Sequence, residues 1–264
     1  MMNNVPVEVQ AFLHMYVSEL KSTLPHDQVI GVYVYGSTAL GAFHLETSDI
    51  DFVTVTKEEL KKDEEENLCA LHKRLCEHGL GKRMDGMYIP LAHVGQKNEE
   101  MAAYQYCADG KIHKGYWDVN AVTWWTLKHH GITVTGRDVS QLSLQVGWND
   151  VVETMKYNIE QYWSKKAASP YLFFTDEWVE SAVVTMGRIL YTLENGGIVS
   201  KDAGLTYMMK SSPKWEPLLQ EVKRIRTGKG ERVMTRWSRM KMTRQYLLEG
   251  IEVCTNKWLL QDSR

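Results

Sequence analysis

Cysteine is scarce. The 264-residue chain has four, Cys69, Cys76, Cys107 and Cys254, with no CxxC pair and no Cys/His spacing. That argues against a disulfide framework and a structural zinc site, and leaves reduced, mostly packed thiols. No apolar run approaches the ~20 residues of a membrane span. The opening stretch MMNNVPVEVQAFLHMYVSEL has neither a basic n-region nor an unbroken apolar h-region, so no secretory signal and a cytoplasmic location are expected. An excess of one charge is missing too: 31 Lys and Arg stand against 33 Asp and Glu, a formal net charge of -2. Such a balance gives no general pull toward nucleic acid or an anionic membrane. There is no internal repeat and no low-complexity stretch. The remainder is an ordinary globular composition, 44% hydrophobic and 24% charged, long enough for one large or two modest domains.

Apolar residues at Val9, Phe12, Leu13, Tyr16, Val17 and Leu20 recur at helical spacing over residues 6–23. Beyond Pro25, Val29 to Tyr35 is β-branched and aromatic, as a strand is. Gly36-Ser37 turns the chain, Thr38 to Phe43 can form a short helix, and Asp49 to Thr56 is a second strand. A helix is expected over Lys57 to Leu80, its KEELKKDEEEN run being a solvated surface, and Met84 to Pro90 is a third strand. Later segments are helical in pattern: Val119 to His130, Trp148 to Lys165, Glu177 to Glu194, Lys201 to Met209, Trp215 to Thr227 and Trp237 to Leu260. Asn195-Gly196-Gly197 has the form of a helix C-cap. The tryptophans of this half are read mainly as core.

The first two strands frame Gly36-Ser37, then ten residues, then Ser48-Asp49-Ile50-Asp51. Side chains at i and i+2 of a strand share a face. Asp49 and Asp51 therefore project together while Ile50 and Phe52 turn into the core. Two carboxylates that close repel unless they are solvated, one is protonated, or a cation lies between them. Magnesium takes one or two carboxylates together with phosphate oxygens and water. A glycine directly after a strand admits close approach of a ligand, and the helix start behind it favours phosphate. Alone, the DxD is as well explained by an edge strand with solvated aspartates. In this framing the combination predicts a Mg-nucleotide pocket that includes Gly36, Ser37 and Ser48. Asp85, in KRMDGMYIP, reads by itself either as a turn residue before Gly86 or as part of the third strand.

The GS…SDID arrangement resembles the nucleotidyltransferase superfamily that shares the DNA polymerase β fold. The resemblance implies Mg²⁺ on Asp49 and Asp51, two ions in all, with Asp85 as third carboxylate, either a metal ligand or the base for an acceptor hydroxyl. Two further stretches, TMGRILYTLENGGIVSKDAG (185–204) and GITVTGRD (131–138), are similar to the C-terminal domain of aminoglycoside adenylyltransferases that act on streptomycin or spectinomycin. That likeness implies that Arg188 and Lys201, thirteen residues apart, reach the triphosphate of ATP. Where those enzymes carry a G-E-W segment, this chain reads CADGKIHKGYWD, and Tyr116 or Trp117 matches it loosely. Where they carry D-E-R-N, it reads TDEWVES, offering Asp176, Glu177 and Glu180 to a cationic acceptor.

The expectation is an α+β protein. A polymerase β-like nucleotidyltransferase domain with a mixed sheet (1–115) precedes an α-helical bundle domain (116–264), the boundary falling somewhere between residues 110 and 150. The expected activity is Mg-dependent transfer of AMP from ATP to a hydroxyl of an aminoglycoside or aminocyclitol, with release of pyrophosphate. The chain would act as a monomer or weak dimer, without membrane or nucleic-acid partners. The competing readings are the same chemistry on a protein or tRNA, as in toxin–antitoxin systems, an inactive nucleotide-binding regulator, and a purely structural protein.

Overall fold

The computed structural model describes residues 5–259, and the chain divides into two compact units, 1–147 and 148–264. In the first, helix α1 (Val7–Thr23) leads into strand β1 (Val29–Val34), the four-residue helix α2 (Gly36–Ala39) and strand β2 (Ile50–Thr56). Helix α3 (Lys62–Leu75) then crosses to β3 (Met84–Pro90), followed by the hairpin β4 (Tyr104–Ala108) and β5 (Lys111–Gly115), helix α4 (Ala121–His130) and β6 (Ile132–Gly136). The strands form one mixed sheet in the order β5-β4-β3-β2-β1-β6. β2 and β3 run parallel, which requires a crossover, and α3 supplies it.

One face of the sheet packs on α1 and α3. Val32, Val34, Ile50, Phe52, Met84, Tyr88 and Cys107 meet Phe12, Leu13, Tyr16, Leu20, Leu68, Leu71 and Leu75 there, all buried. As expected, Ile50 and Phe52 point into this core. The core also holds a polar chain. The Tyr16 hydroxyl lies 2.8 Å from both Thr54 Oγ1 and the Tyr88 hydroxyl. Tyr88 lies 2.6 Å from His72 Nε2, and Cys107 Sγ 3.3 Å from His72 Nδ1. Each buried polar group in it thereby has a partner.

Three strands were not anticipated, and they move the division between units to 147/148 from the expected 115/116. The stretch GITVTGRD, read as part of the helical domain, forms β6 and pairs antiparallel with β1. Helix α3 starts at Lys62, after an extended segment; Lys57 instead pairs with Asp27. The Glu64 carboxylate accepts the Lys61 N–H at 2.9 Å and so caps the helix.

The second unit is helical: α5 (Trp148–Tyr157), a π-helical turn (Asn158–Trp163), α6 (Ser164–Ala167), α7 (Asp176–Asn195), α8 (Lys201–Ser211), α9 (Glu216–Thr227) and α10 (Arg236–Cys254) with a terminal π turn (Thr255–Leu259). Leu260, the last residue of the expected final helix, lies outside the described residues. α7 is the central element, burying Val179, Ala182, Val183, Val184, Met186 and Ile189. It ends at Gly196 in the left-handed conformation, the C-cap its sequence predicts. Among the described residues no helix is long and apolar enough to cross a membrane.

Candidate active site

The parallel register of β2 and β3 sets Asp51 directly beside Asp85. Both stand on the sheet face away from the α1/α3 core, each the second residue of its strand. Asp49, one residue ahead of β2, is exposed and close enough to raise the Asp85 pKa. Of the three carboxylates picked out in the sequence, Asp51 and Asp85 are thus side by side on neighbouring strands, and Asp49 lies close by at the end of the loop that enters β2.

Gly36 sits beneath them. Its φ is +57°, and a Cβ built on it would fall 1.9 Å from Asp51 Oδ2. Only glycine leaves room for that carboxylate. The Tyr35 N–H donates to the Asp51 carbonyl at 3.0 Å, fixing the turn to the strand, and Ser37 follows half-buried in α2. The role of Ser48 is local: its hydroxyl accepts the His44 N–H at 2.9 Å and its carbonyl accepts from Arg83 at 3.0 Å. Arg83 also donates to the Leu45 carbonyl, so a cation from the start of β3 holds the loop entering β2.

Asp85 is held above its ordinary pKa, first by burial and then by the nearby charges of Asp49 and Asp109. The Asp109 backbone N–H, 2.8 Å from Asp85 Oδ1, opposes that shift. Among the described residues no three His, Cys, Asp or Glu side chains are already gathered to hold a metal ion. Magnesium, however, needs only one or two carboxylates when phosphate oxygens and water complete its shell. The hard oxygens of Asp49, Asp51 and Asp85 fit that requirement.

Tyr35 was not singled out in the sequence. It is buried, its phenol hydrogen-bonds the Trp117 side chain, and burial, followed by the charge of Asp51, holds its pKa well above the usual range. Trp117, the loosely matched acceptor residue, is therefore tied to the carboxylate region through Tyr35, and its ring packs on Tyr106 at 5.5 Å. Tyr116 is exposed, its hydroxyl on the Met101 carbonyl. Nothing in residues 104–118 spelled this out, because the hairpin that presents them was unread.

In the second unit, Arg188 packs against the start of the helix that Lys201 opens. Arg188 Nε donates to the Val199 carbonyl at 2.9 Å, and its Cγ lies against Gly204, on the first turns of α8. Lys201 opens that helix behind its N-cap Ser200. The acidic residues expected to receive a cation are mostly engaged elsewhere. Asp176 pairs with Arg239, Glu180 pairs with Arg226, and Arg226 also meets Asp202 at 2.8 Å. These pairs tie α7 to α8, α9 and α10. Glu177 is exposed on the first turn of α7. Beside it, Trp178 packs under the Lys166 ammonium at 4.6 Å.

Comparison with known proteins accords with this arrangement. Residues 15–107 match the nucleotidyltransferase domain family, and residues 144–249 match the aminoglycoside adenylyltransferase C-terminal domain family. The chain belongs to the aminoglycoside adenylyltransferase family. It is a nucleotidyltransferase by both halves of its sequence. A spectinomycin 9-adenylyltransferase of Campylobacter jejuni is 22% identical over 235 residues, covering 80% of this chain and 83% of that protein. The crystal structure of spectinomycin adenyltransferase AAD(9) from Enterococcus faecialis with ATP and spectinomycin shares the fold, with a TM-score of 0.61 and 18% identity. The match covers 90% of this chain and 99% of that one. The match to the C-terminal family begins at residue 144, so GITVTGRD lies outside it, as its place in the sheet requires.

Proposed function

We propose that this adenylyltransferase moves AMP from ATP to a hydroxyl of an aminoglycoside or aminocyclitol. The observation that carries the reading is the Asp51–Asp85 pair set side by side over Gly36, in a chain of this family. Two similar proteins are described as spectinomycin adenylyltransferases, one with ATP and spectinomycin bound, and they support the acceptor class.

Asp49 and Asp51 would hold magnesium, with Asp85 as a further ligand or as the base. Bound there, the ion would neutralise phosphate charge and orient the α-phosphate. The Gly36–Ser37 turn lets the backbone approach the triphosphate. In its role as the base Asp85, set beside Asp51 on the neighbouring strand, takes the proton of the attacking hydroxyl. The hydroxyl oxygen bonds to the α-phosphorus as the bond to the β-phosphate oxygen breaks, and pyrophosphate leaves. Arg188 and Lys201 are assigned to the charge that grows on it. A cationic acceptor finds less free carboxylate near residue 176 than the sequence promised. Its recognition is assigned to Glu177 and Trp117, with Asp176 and Glu180 acting through their arginine pairs.

The test is pyrophosphate release from ATP and Mg²⁺ across spectinomycin, streptomycin, other aminoglycosides and lincosamides, with Asp49→Asn as control. Release with an aminoglycoside or aminocyclitol, lost in the variant, is the expected result. Silence across the panel with Mg-ATP binding intact by calorimetry would refute the acceptor class and turn the search to protein and RNA.

A further inference from the structure

We infer that the β4–β5 turn, Asp109-Gly110, is a positioning device for Asp85, fixing one carboxylate oxygen so that the other is offered to the reaction. The strands β4 and β5 pair as far as Ala108 and Lys111, leaving a two-residue loop. Asp109 has φ 50° and Gly110 φ 73°, the doubly left-handed geometry for which Asp-Gly is suited. Asp109 is the one non-glycine with positive φ among the described residues.

In such a turn the hairpin bonds join the flanking residues, and the N–H groups of the two loop residues are left over. Here both are directed at β3. The Asp109 N–H donates to Asp85 Oδ1 at 2.8 Å, and the Gly110 N–H donates to the Met84 carbonyl at 3.0 Å. Cys107 Sγ reaches the same carbonyl at 3.1 Å. From the other side, Cys76 Sγ approaches the Gly110 carbonyl at 3.4 Å. A Cβ on Gly110 would fall 2.3 Å from the Gly81 carbonyl oxygen. The turn is therefore seated between β3 and the segment after α3, and cannot shift without displacing backbone. An N–H aimed at a carboxylate forms a charge-assisted bond, which selects one rotamer and one oxygen of Asp85.

The inference rests on the role proposed for Asp85, so its test has one arm that needs no turnover. Amide hydrogen exchange at Asp109 is measured in the whole protein and in Asp85→Ala. Exchange at least tenfold faster in the variant, with neighbouring amides unchanged, is expected; equal exchange overturns the clamp. In the second arm the Asp109 amide is replaced by an ester through nonsense suppression, which deletes the N–H and keeps the side chain. A charge-assisted bond of this kind corresponds to about tenfold in rate or more. The ester protein should lose about tenfold in kcat, with the KM for ATP within about twofold, and lose nothing further when combined with Asp85→Ala. Unchanged kcat, or a loss fully additive to that of Asp85→Ala, overturns the positioning role. Failure of the adenylyl-transfer reading would show differently: wild-type protein silent with every acceptor while the exchange result still holds.

Discussion

Replacing Gly36 by alanine should separate the requirement for the fold from the requirement for the site. The added methyl would stand 1.9 Å from Asp51 Oδ2 and 2.6 Å from Asp51 Cγ, where real Cβ atoms keep at least 3.0 Å. The carboxylate must retreat by about 1 Å or more, a misplacement that can cost on the order of 100-fold in rate. Asp51 cannot carry its strand along, because β2 is paired on both sides, with β1 and with β3. Its side chain rotates away instead. For the backbone, alanine at φ +57° costs roughly 1–2 kcal/mol, a few degrees in Tm for a protein of this size. The expected result is a folded protein, slightly less heat-stable, whose pyrophosphate release with its acceptor falls about 100-fold. In an Asp51→Ala background the same change should cost stability alone. A Gly36→Ala protein that kept half its kcat would refute the argument that Gly36 exists to make room for Asp51.

Three other outcomes follow from the same geometry. Asp51→Asn should abolish transfer while leaving Tm equal or higher, because like charges beside Asp85 and Asp49 are relieved; a lower Tm in differential scanning would contradict the repulsion. Lys201→Ala, at an exposed first position of α8, should leave Tm within about 1 °C yet lower kcat by roughly one hundredfold, and steady-state kinetics decide it. His72 is buried, and burial pushes its pKa down to about 4 from 6.5, against a weaker opposing pull from the Gly110 backbone. The unfolded chain thus takes up a proton below pH 6.5 that the folded protein refuses until about pH 4. Its contribution is constant above that window and is lost as pH falls through it, by at most about 3 kcal/mol. Denaturation midpoints measured between pH 7 and 4 should decline less in His72→Gln than in wild type; parallel curves would refute the assignment.

The parts of the site that were legible in the sequence are those encoded locally. Gly36, Asp49 and Asp51 lie within sixteen residues of one another on a strand, a turn and a strand, and hydrophobic alternation alone places the aspartates opposite Phe52. Asp85 was brought to them only by the family resemblance, since its place next to Asp51 depends on the parallel register of β2 and β3, which no local pattern encodes. The hairpin that clamps Asp85 was not legible. β5 buries none of its residues and β6 none of its own, so neither leaves a hydrophobic pattern to read. β6 also joins β1 across some hundred residues of chain, a pairing that no local spacing announces. The arginine pairs of Asp176 and Glu180 were not legible for the same reason. Arg239 and Arg226, their partners, come from α10 and α9, and only the packed bundle brings them to α7.

The buried polar chain in the sheet and the catalytic face then become two sides of one constraint. Side chains alternate along β3, so a one-residue slip against β2 would turn Asp85 toward the α1/α3 core and Tyr88 away from its partners there. Apolar burial resists that slip, but the core face of β3 is also anchored chemically. Tyr88 is held at 2.8 Å by Tyr16 and at 2.6 Å by His72, and the Met84 carbonyl is held by Cys107 and Gly110. Met84 and Tyr88 bracket Asp85 at one and three residues' distance. Slippage would leave these buried groups unpaired, at roughly 1–3 kcal/mol each. The Asp51–Asp85 alignment is therefore secured from the opposite face of the sheet, among side chains buried against α1 and α3. A variant there, such as Tyr88→Phe, should act on kcat through register before it acts on any contact with ATP.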